Sequence, residues 1–463
     1  MEYGDRLKNC TKAHFIGVGG ISMSGLACTL HSKGVTVTGS DAKHSDTLDT
    51  LESAGVEVFV GHHADNVPED ADLVVYTAAV KRDNPEFVRA EALGLHILDR
   101  AALIGLMMDG YSRPICVSGT HGKTTTTSMI SQILLTSGKN PTLNIGGVLP
   151  SINSNYLVGG DEYFVVESCE YFDGFLNFKP HIGVVLNIET DHLDYFKDLA
   201  HIEGSFGSFV GNIRESGALV VNEETSSCAN ITNRARCRVV GYGGPNSLFR
   251  AADVAYSSEG MASFDLLIDG KFADRISLRL RGAHNVSNAL AAIAACWVER
   301  IPLEQIKSGL ESFTGSKRRY EYKGTLHGVT IIDDYAHHPT EIKATLAGAR
   351  NSRYGKLVCV FQPHTYTRTK KLLAELGTSF GDADVVVLVD IYSAREKDTG
   401  EIHSRDLAGQ ISANGRETHY MPSFEAAETF LRQKCVHGDL LITMGAGDVH
   451  KLAEHLLSTK LST

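Results

Sequence analysis

The chain has no C-x-x-C pair: its nine cysteines stand singly between Cys10 and Cys435. An odd count without framework spacing excludes a disulfide scaffold and points to reduced thiols in a cytosolic protein. No stretch approaches the roughly 18 consecutive apolar residues that a membrane-spanning helix needs, so no membrane insertion is expected. The opening residues, Met1 to Cys10, are polar and do not read as a secretory signal. Positive charge is also short. Lys and Arg number 44 against 55 Asp and Glu, a formal net charge of -11, and no basic stripe interrupts it. Nucleic acid is therefore not an expected partner. Short internal repeats and low-complexity linkers are missing too.

What remains is an ordinary globular composition over 463 residues, 43% hydrophobic and 21% charged. At roughly 150 residues per domain, that length suggests about three domains. Short Val- and Ile-rich runs alternate with helical stretches: Ala13–Val18, Val35–Thr38, Leu73–Thr77, Ile115–Ser118, Phe164–Val166, Gly183–Asn187, Leu219–Val221, Thr330–Ile332, Leu357–Phe361, Val385–Val389 and Leu440–Thr443. Continuous apolar strands separated by helices predict an α/β fold of parallel sheets covered on both faces. Strand–glycine–helix entries at Gly17 and Gly119 each open a domain, and a new strand series begins after Thr314–Lys317. The predicted division is 1–110, 111–314 and 315–463.

Residues 13–25, AHFIGVGGISMSG, place a glycine turn between a strand and a helix. Gly17, Gly19 and Gly20 let backbone approach a pyrophosphate at the helix N-terminus, and Asp41, beyond the next strand, suits ribose hydroxyls. Ser22 stands where the dinucleotide pattern G-x-G-x-x-G has its third glycine, which argues against NAD. A merely structural turn and a diphosphate-bearing ligand both stay open here.

The second turn, ICVSGTHGKTTTT over 115–127, has the end of a phosphate loop. Gly119, Thr120, His121 and Gly122 offer backbone N–H groups. Lys123 neutralises phosphate charge, and the Thr124 hydroxyl can ligate Mg²⁺, with Thr125 following in the helix. A phosphate loop needs carboxylates for its metal at the ends of neighbouring strands. Glu167 ends one such strand, and another runs into Ile188-Glu189-Thr190-Asp191-His192-Leu193-Asp194. Glu167 and His192 are candidates for a second Mg²⁺, whereas Glu170, Glu189, Asp191 and Asp194 read as orienting or structural. Asn285 and Asn288, three apart in RGAHNVSNAL, share one helix face and suit an adenine edge or a helix cap. Arg318-Arg319-Tyr320 then offers an arginine for the γ-phosphate, and two further strands end in DDYAHHPTE and FQPHTYTRT.

In this order, GTHGKTTTT, the strand-ending Glu167, NIETDHLD, GAHNVSNA, RRYE, DDYAHHPTE, FQPHTYTRT and GDLLITMGAGDV resemble the muramyl (Mur) ligases over nearly the whole chain. HFIGVGGISMSGLA and DDYAHHP resemble the branch that adds L-alanine. The resemblance implies three domains: a Rossmann-like N-terminal domain for a UDP sugar, a central ATP-binding domain with a P-loop ATPase-like parallel sheet, and a Rossmann-like C-terminal domain for the amino acid. It implies ATP with two Mg²⁺ ions, and UDP-N-acetylmuramate and L-alanine as substrates of a cytoplasmic ligase, monomeric or weakly dimeric. By motif, Gly17, Gly19, Gly20, Ser22 and Asp41 face the UDP sugar. Residues Gly119, Thr120, His121, Gly122, Lys123, Thr124 and Thr125 bind ATP with His284, Asn285, Asn288 and Arg319. Thr124, Glu167 and His192 hold metal, Lys123, Glu167, His192, Arg319 and Asp334 are catalytic, and His338 and Arg368 meet the amino acid. Four departures stand out. Ser22 and Thr365 occupy positions where members show glycine and arginine, Cys169-Glu170 replaces an acidic pair, and Ile202–Phe209 lacks the lysine that sister ligases carbamylate. The rival readings are a ligase that attaches a whole tripeptide to the same sugar, an NAD-linked dehydrogenase and a non-catalytic nucleotide-binding regulator.

Overall fold

A computed structural model describes residue 7 and residues 9–77, 80–192, 195–394 and 396–458. Leu193 and Asp194, and most of the polar N-terminal segment, lie outside the described residues. The chain divides into two compact units: Met1–Arg250 with Leu267–Phe272 and Asn288–Ser312, and Ala251–Leu266 with Ala273–Ser287 and Phe313–Thr463.

The first unit holds two sheets. Strands β1 (Lys12–Ile16), β2 (Thr36–Asp41), β3 (Glu57–Val60), β4 (Leu73–Tyr76) and β5 (Ile97–Asp99) form a sheet in the order β3-β2-β1-β4-β5. All four pairings are parallel. β1 is buried at Ala13, His14, Phe15 and Ile16, so both of its faces are covered. Asp41, read from sequence as following a strand, is the last residue of β2.

The next strands are β6 (Arg113–Ser118), β7 (Thr142–Leu149), β8 (Ser154–Leu157), β9 (Tyr163–Ser168), β10 (Ile182–Val185), β11 (Ala218–Asn222) and β12 (Arg238–Tyr242). They lie in the order β12-β11-β10-β6-β9-β7-β8. β6 is central, parallel to β10 on one side and β9 on the other. Only the β7–β8 edge is antiparallel among these pairings. Helix Lys123–Thr136 follows β6 and packs against β6, β7 and β9, and against helix Leu303–Ser312. Gly309 permits that last contact, because a Cβ there would sit 2.6 Å from the Ile133 Cα. Strands β13 (Phe249–Tyr256), β14 (Met261–Ile268) and β15 (Lys271–Arg281) contribute residues to both units, as does helix Ala283–Val298.

The second unit is built on β16 (Glu321–Leu326), β17 (Val329–Asp334), β18 (Leu357–Phe361), β19 (Val385–Leu388), β20 (Glu417–Tyr420) and β21 (Leu440–Met444), ordered β16-β17-β21-β18-β19-β20. β16 is an antiparallel edge, and the other pairings are parallel. Strand alternation explains the continuous apolar stretch of β18. Leu357, Cys359 and Phe361 enter one core, and Val358 and Val360 enter the core on the opposite face. The α/β class and parallel sheets expected from sequence are what the chain forms. No helix among the described residues is long and apolar enough to cross a membrane.

Candidate functional site

The second glycine turn connects β6 to helix Lys123–Thr136. Gly119 has φ +140° and Gly122 φ +84°, the left-handed region that glycine enters without strain. Asn187, just past β10, braces the loop. Its Oδ1 accepts from the His121 backbone N–H at 2.8 Å and its Nδ2 donates to the His121 carbonyl at 3.0 Å. The Glu189 N–H donates to the Thr120 hydroxyl at 2.9 Å, and His121 Nε2 lies 3.5 Å from the Glu189 carboxylate. Asn288 closes the other side, since a Cβ on Gly122 would come within 2.6 Å of its Oδ1. The loop is thus pre-shaped at a helix N-terminus, with Thr124 and Thr125 in the first turn.

Lys123 folds back over this loop. Its Nζ donates to the Gly119 and Thr120 carbonyls and lies 3.1 Å from Glu170 Oε2. Glu170 is buried, with 3% of its side chain exposed. Burial works against the lysine's charge, but the Glu170 carboxylate outweighs it and holds the ammonium above its usual range. Glu167, inside β9 rather than at its end, accepts from the Thr124 hydroxyl at 3.1 Å and from the Gly146 N–H at 2.6 Å. His192, at φ +50°, places Nε2 3.9 Å from Glu170 Oε1 and 3.8 Å from Asp191 Oδ2, and its ring stacks on Tyr171 at 4.4 Å. Lys123, Thr124, Glu167 and His192, which span 69 positions of sequence, therefore surround one short loop. The Thr124 hydroxyl and the Glu167 and Glu170 carboxylates beside a phosphate loop fit Mg²⁺, which prefers hard oxygen ligands and substrate phosphates, and the His192 imidazole is the one nitrogen donor in that group.

The first glycine turn follows β1. Gly17 has φ +83°, and the N–H groups of Gly17 and Val18 both donate to the Ser40 carbonyl. Gly20 caps helix Ile21–Ser32, whose first turn carries no acidic residue. Asp41 accepts from the Gly19 N–H at 3.0 Å. Ser22 is drawn sideways: its hydroxyl donates to Asn144 Oδ1 of β7 at 2.9 Å, and Asn144 Nδ2 donates back to the Ser22 carbonyl at 3.2 Å.

In the second unit, Asp334 closes β17. The backbone N–H groups of Tyr320 and Ala336 donate to its carboxylate at 2.7 and 2.8 Å. Burial pushes Asp334 up to about 6, against the pull of Arg319 and of those two N–H groups. The adjacent arginines differ in role. Arg318 bonds Asp333 and the carbonyls of Gly445 and Gly447, which ties the glycine turn after β21 to β17. Arg319 lies over the Tyr335 ring and 4.0 Å from Glu341. His338 caps helix Pro339–Arg350, its Nδ1 accepting from the Thr340 N–H at 3.4 Å and its own N–H meeting Glu341. Arg368 Nη1 meets His364 Nδ1 at 3.1 Å. Thr365, at φ +66°, caps the helix that carries Arg368. Asn285 Nδ2 donates to the Arg281 carbonyl at 2.8 Å. The ring of His284, exposed at the start of helix Ala283–Val298, lies 3.1 Å from Asn285 Nδ2.

Three features escaped sequence reasoning. Asn187 ends an expected strand and opens the NIETDHLD motif, with no role of its own assigned from sequence. Arg100 has no motif, and its Nη1 donates to the Ser22 hydroxyl at 3.0 Å. Glu86, fully buried in the first unit, accepts from Ser40 at 2.5 Å and Asn66 at 2.6 Å and lies 3.3 Å from His14 Nε2. Burial raises its pKa, yet the contacts from His14, Ser40 and Asn66 hold it below the usual carboxylate range. No spacing in the sequence links residues 14, 40, 66 and 86.

Comparison with known proteins agrees along the chain. Residues 12–112 match the Mur ligase family catalytic domain, 117–296 the Mur ligase middle domain, and 318–447 the Mur ligase glutamate ligase domain. The UDP-N-acetylmuramate–L-alanine ligase of Acetivibrio thermocellus is 51% identical over 449 residues, covering 96% of each chain. That of Clostridium novyi is 46% identical over 460 residues, covering 99% of this chain and all of its own. Among solved structures, the UDP-N-acetylmuramate-alanine ligase of Thermotoga maritima superposes with a TM-score of 0.83 at 28% identity, covering 96% of this chain and 98% of its own. A murein peptide ligase of Psychrobacter arcticus gives 0.72 at 26% identity, covering 97% and 98%.

Proposed function

The chain belongs to the Mur ligase family, and from that premise we propose that it joins L-alanine to the lactyl carboxylate of UDP-N-acetylmuramate at the expense of ATP, in peptidoglycan precursor synthesis. The observation that carries this reading is the loop Gly119–Gly122 with Lys123 and the Thr124–Glu167 contact at its mouth, in a chain 51% identical to an L-alanine ligase. The tripeptide-adding alternative is less well supported, because the relatives at 46% and 51% identity are L-alanine ligases and the solved L-alanine ligase superposes with a TM-score of 0.83 against 0.72 for the murein peptide ligase.

The reaction needs two displacements. The lactyl carboxylate oxygen bonds to the γ-phosphorus as the bond to ADP breaks, giving an acyl phosphate. The alanine amine then bonds to the acyl carbon, phosphate leaves, and the amine loses a proton. In this proposal the N–H groups of the loop and helix N-terminus cradle the phosphates. Lys123 exchanges its loop carbonyls for phosphate oxygens and offsets the developing charge. Thr124, Glu167 and His192 would hold Mg²⁺, two ions in our reading, which supplies charge neutralisation at the transferred phosphoryl group. Asn288 and Asn285 contact the nucleotide with His284. Arg319 rather than Arg318 reaches the phosphates, since Arg318 is engaged by Asp333 and two carbonyls. Asp334 orders the segment around Arg319 by holding the Tyr320 and Ala336 N–H groups. Gly17, Gly19, Gly20, Ser22 and Asp41 hold the UDP sugar, and His338 and Arg368 meet the amino acid. The proposed setting is the cytoplasm.

The test is phosphate release from ATP and Mg²⁺ with UDP-N-acetylmuramate, adding L-alanine or the tripeptide L-alanyl-γ-D-glutamyl-meso-diaminopimelate separately. Release with L-alanine and a matching mass gain on the sugar nucleotide is expected. Release only with the tripeptide would move the protein to the recycling role, and release with neither would refute the substrate assignment.

A further inference from the structure

Arg100 opens helix Arg100–Met108 directly after β5, where Asp99 caps the helix by accepting from the Ala102 N–H at 2.8 Å. The arginine is half-buried, and among the described residues no carboxylate pairs with it. Its Nη1 instead donates to the hydroxyl of Ser22, which in turn donates to Asn144. Ser22 is the second residue of the helix that leaves the Gly17–Gly20 turn. The guanidinium therefore stands beside a helix N-terminus whose first turn lacks any acidic residue. A half-buried guanidinium without a carboxylate, next to the positive end of a helix, is poised for an anion, and its planar donors match phosphate oxygens.

We propose that Arg100 binds the diphosphate of the UDP sugar, completing the anion site begun by the Gly17–Gly20 turn, with Ser22 and Asn144 positioning it. The proposal rests on the nucleotide-sugar reading above. It differs from a contact with the lactyl acid, because the residue that holds Arg100 lies in the first turn of the helix that leaves the glycine turn.

The experiment compares wild type with Arg100→Met and Arg100→Lys by calorimetric titration of UDP and of UDP-N-acetylglucosamine, which lacks the lactyl acid. KM for UDP-N-acetylmuramate and for ATP, and thermal melting, are measured alongside. Losing a charge-assisted phosphate contact weakens binding about tenfold or more. Arg100→Met should show that loss for UDP and UDP-N-acetylglucosamine alike. Arg100→Lys should regain part of it and melt like wild type, and KM for ATP should stay within about twofold. A purely structural role would not separate the two substrates in this way. Wild-type affinity for UDP in both variants would overturn the proposal. So would a loss confined to UDP-N-acetylmuramate, which would assign Arg100 to the lactyl carboxylate. Failure of wild type itself to bind UDP would refute the nucleotide-sugar reading together with this one.

Discussion

Replacing Glu170 by glutamine separates the phosphate-loop lysine from the one buried carboxylate that holds it. Removing one partner of a buried ion pair costs about 3–5 kcal/mol, because the other charge is left uncompensated. Here the loss is smaller. Lys123 keeps the Gly119 and Thr120 carbonyls, 16% of its side chain is exposed, and glutamine retains an acceptor oxygen. About 2 kcal/mol of lost stability is the resulting expectation, a fall of about 4–8 °C in melting temperature for a domain of this size. Nucleotide should act in the opposite sense. A bound polyphosphate brings negative charge toward Glu170, so removing that carboxylate removes a repulsion, and ATP should stabilise the variant more than the wild type. Differential scanning fluorimetry with and without Mg-ATP reads both effects. Turnover should fall as well, since Glu170 also faces His192 at 3.9 Å. A variant that melts with wild type and gains the same shift from ATP would refute the claim that Glu170 sets the resting position of Lys123.

Lys123→Ala should abolish product formation while calorimetry still detects UDP-sugar binding, and near-normal turnover would remove the phosphate-loop assignment. His192→Ala should raise the Mg²⁺ concentration needed for half-maximal turnover, and an unchanged Mg²⁺ titration would take His192 out of the metal site. Asp334 gives a pH prediction. With a folded pKa near 6 against 3.8, it costs progressively more stability as pH rises between those values. Chemical denaturation across pH 4–7 should therefore show stability rising more between those values for Asp334→Asn than for wild type, and identical slopes would refute the raised carboxyl.

The sequence made the strand–glycine turn–helix corner at Gly119–Gly122 legible because its requirements are local. Gly119, Gly122, Lys123 and Thr124 lie within six positions, and each must keep its place relative to the next. The parallel sheets were legible because strands covered on both faces cannot alternate polar and apolar residues, as β18 illustrates with one core on each side. Strand ends were less so. The apolar run through Asn187 suggested strand, but β10 stops at Val185, and Asn187 is spent on the His121 backbone. The Glu86 network was invisible for a different reason. It is assembled by the parallel register of β1 and β2, which sets His14 opposite Thr38 and Ile16 opposite Ser40, and only pairing across the sheet reveals it. Arg100 was equally hidden, since its significance comes from Ser22, 78 positions earlier. His338, read as an amino-acid ligand, also serves as a helix cap, a local duty that its place before Pro339 could have signalled.

Ser22 and Asn144 join the first glycine turn to the sheet that carries the second. Their reciprocal hydrogen bonds, with Asn155 Nδ2 on the Ile21 carbonyl at 2.7 Å, fasten the first glycine turn to the β7–β8 edge of the next sheet. Gly25 deepens the join, since a Cβ there would meet the Tyr156 Cβ at 2.9 Å. In the proposed function, two phosphate-holding turns fastened through one sheet would act as the jaws of a fixed caliper. A sugar nucleotide gripped at one jaw would present its acid at the other only when the intervening sugar has the right reach, so the frame itself would select the length of the acceptor before any side chain reads the amino acid.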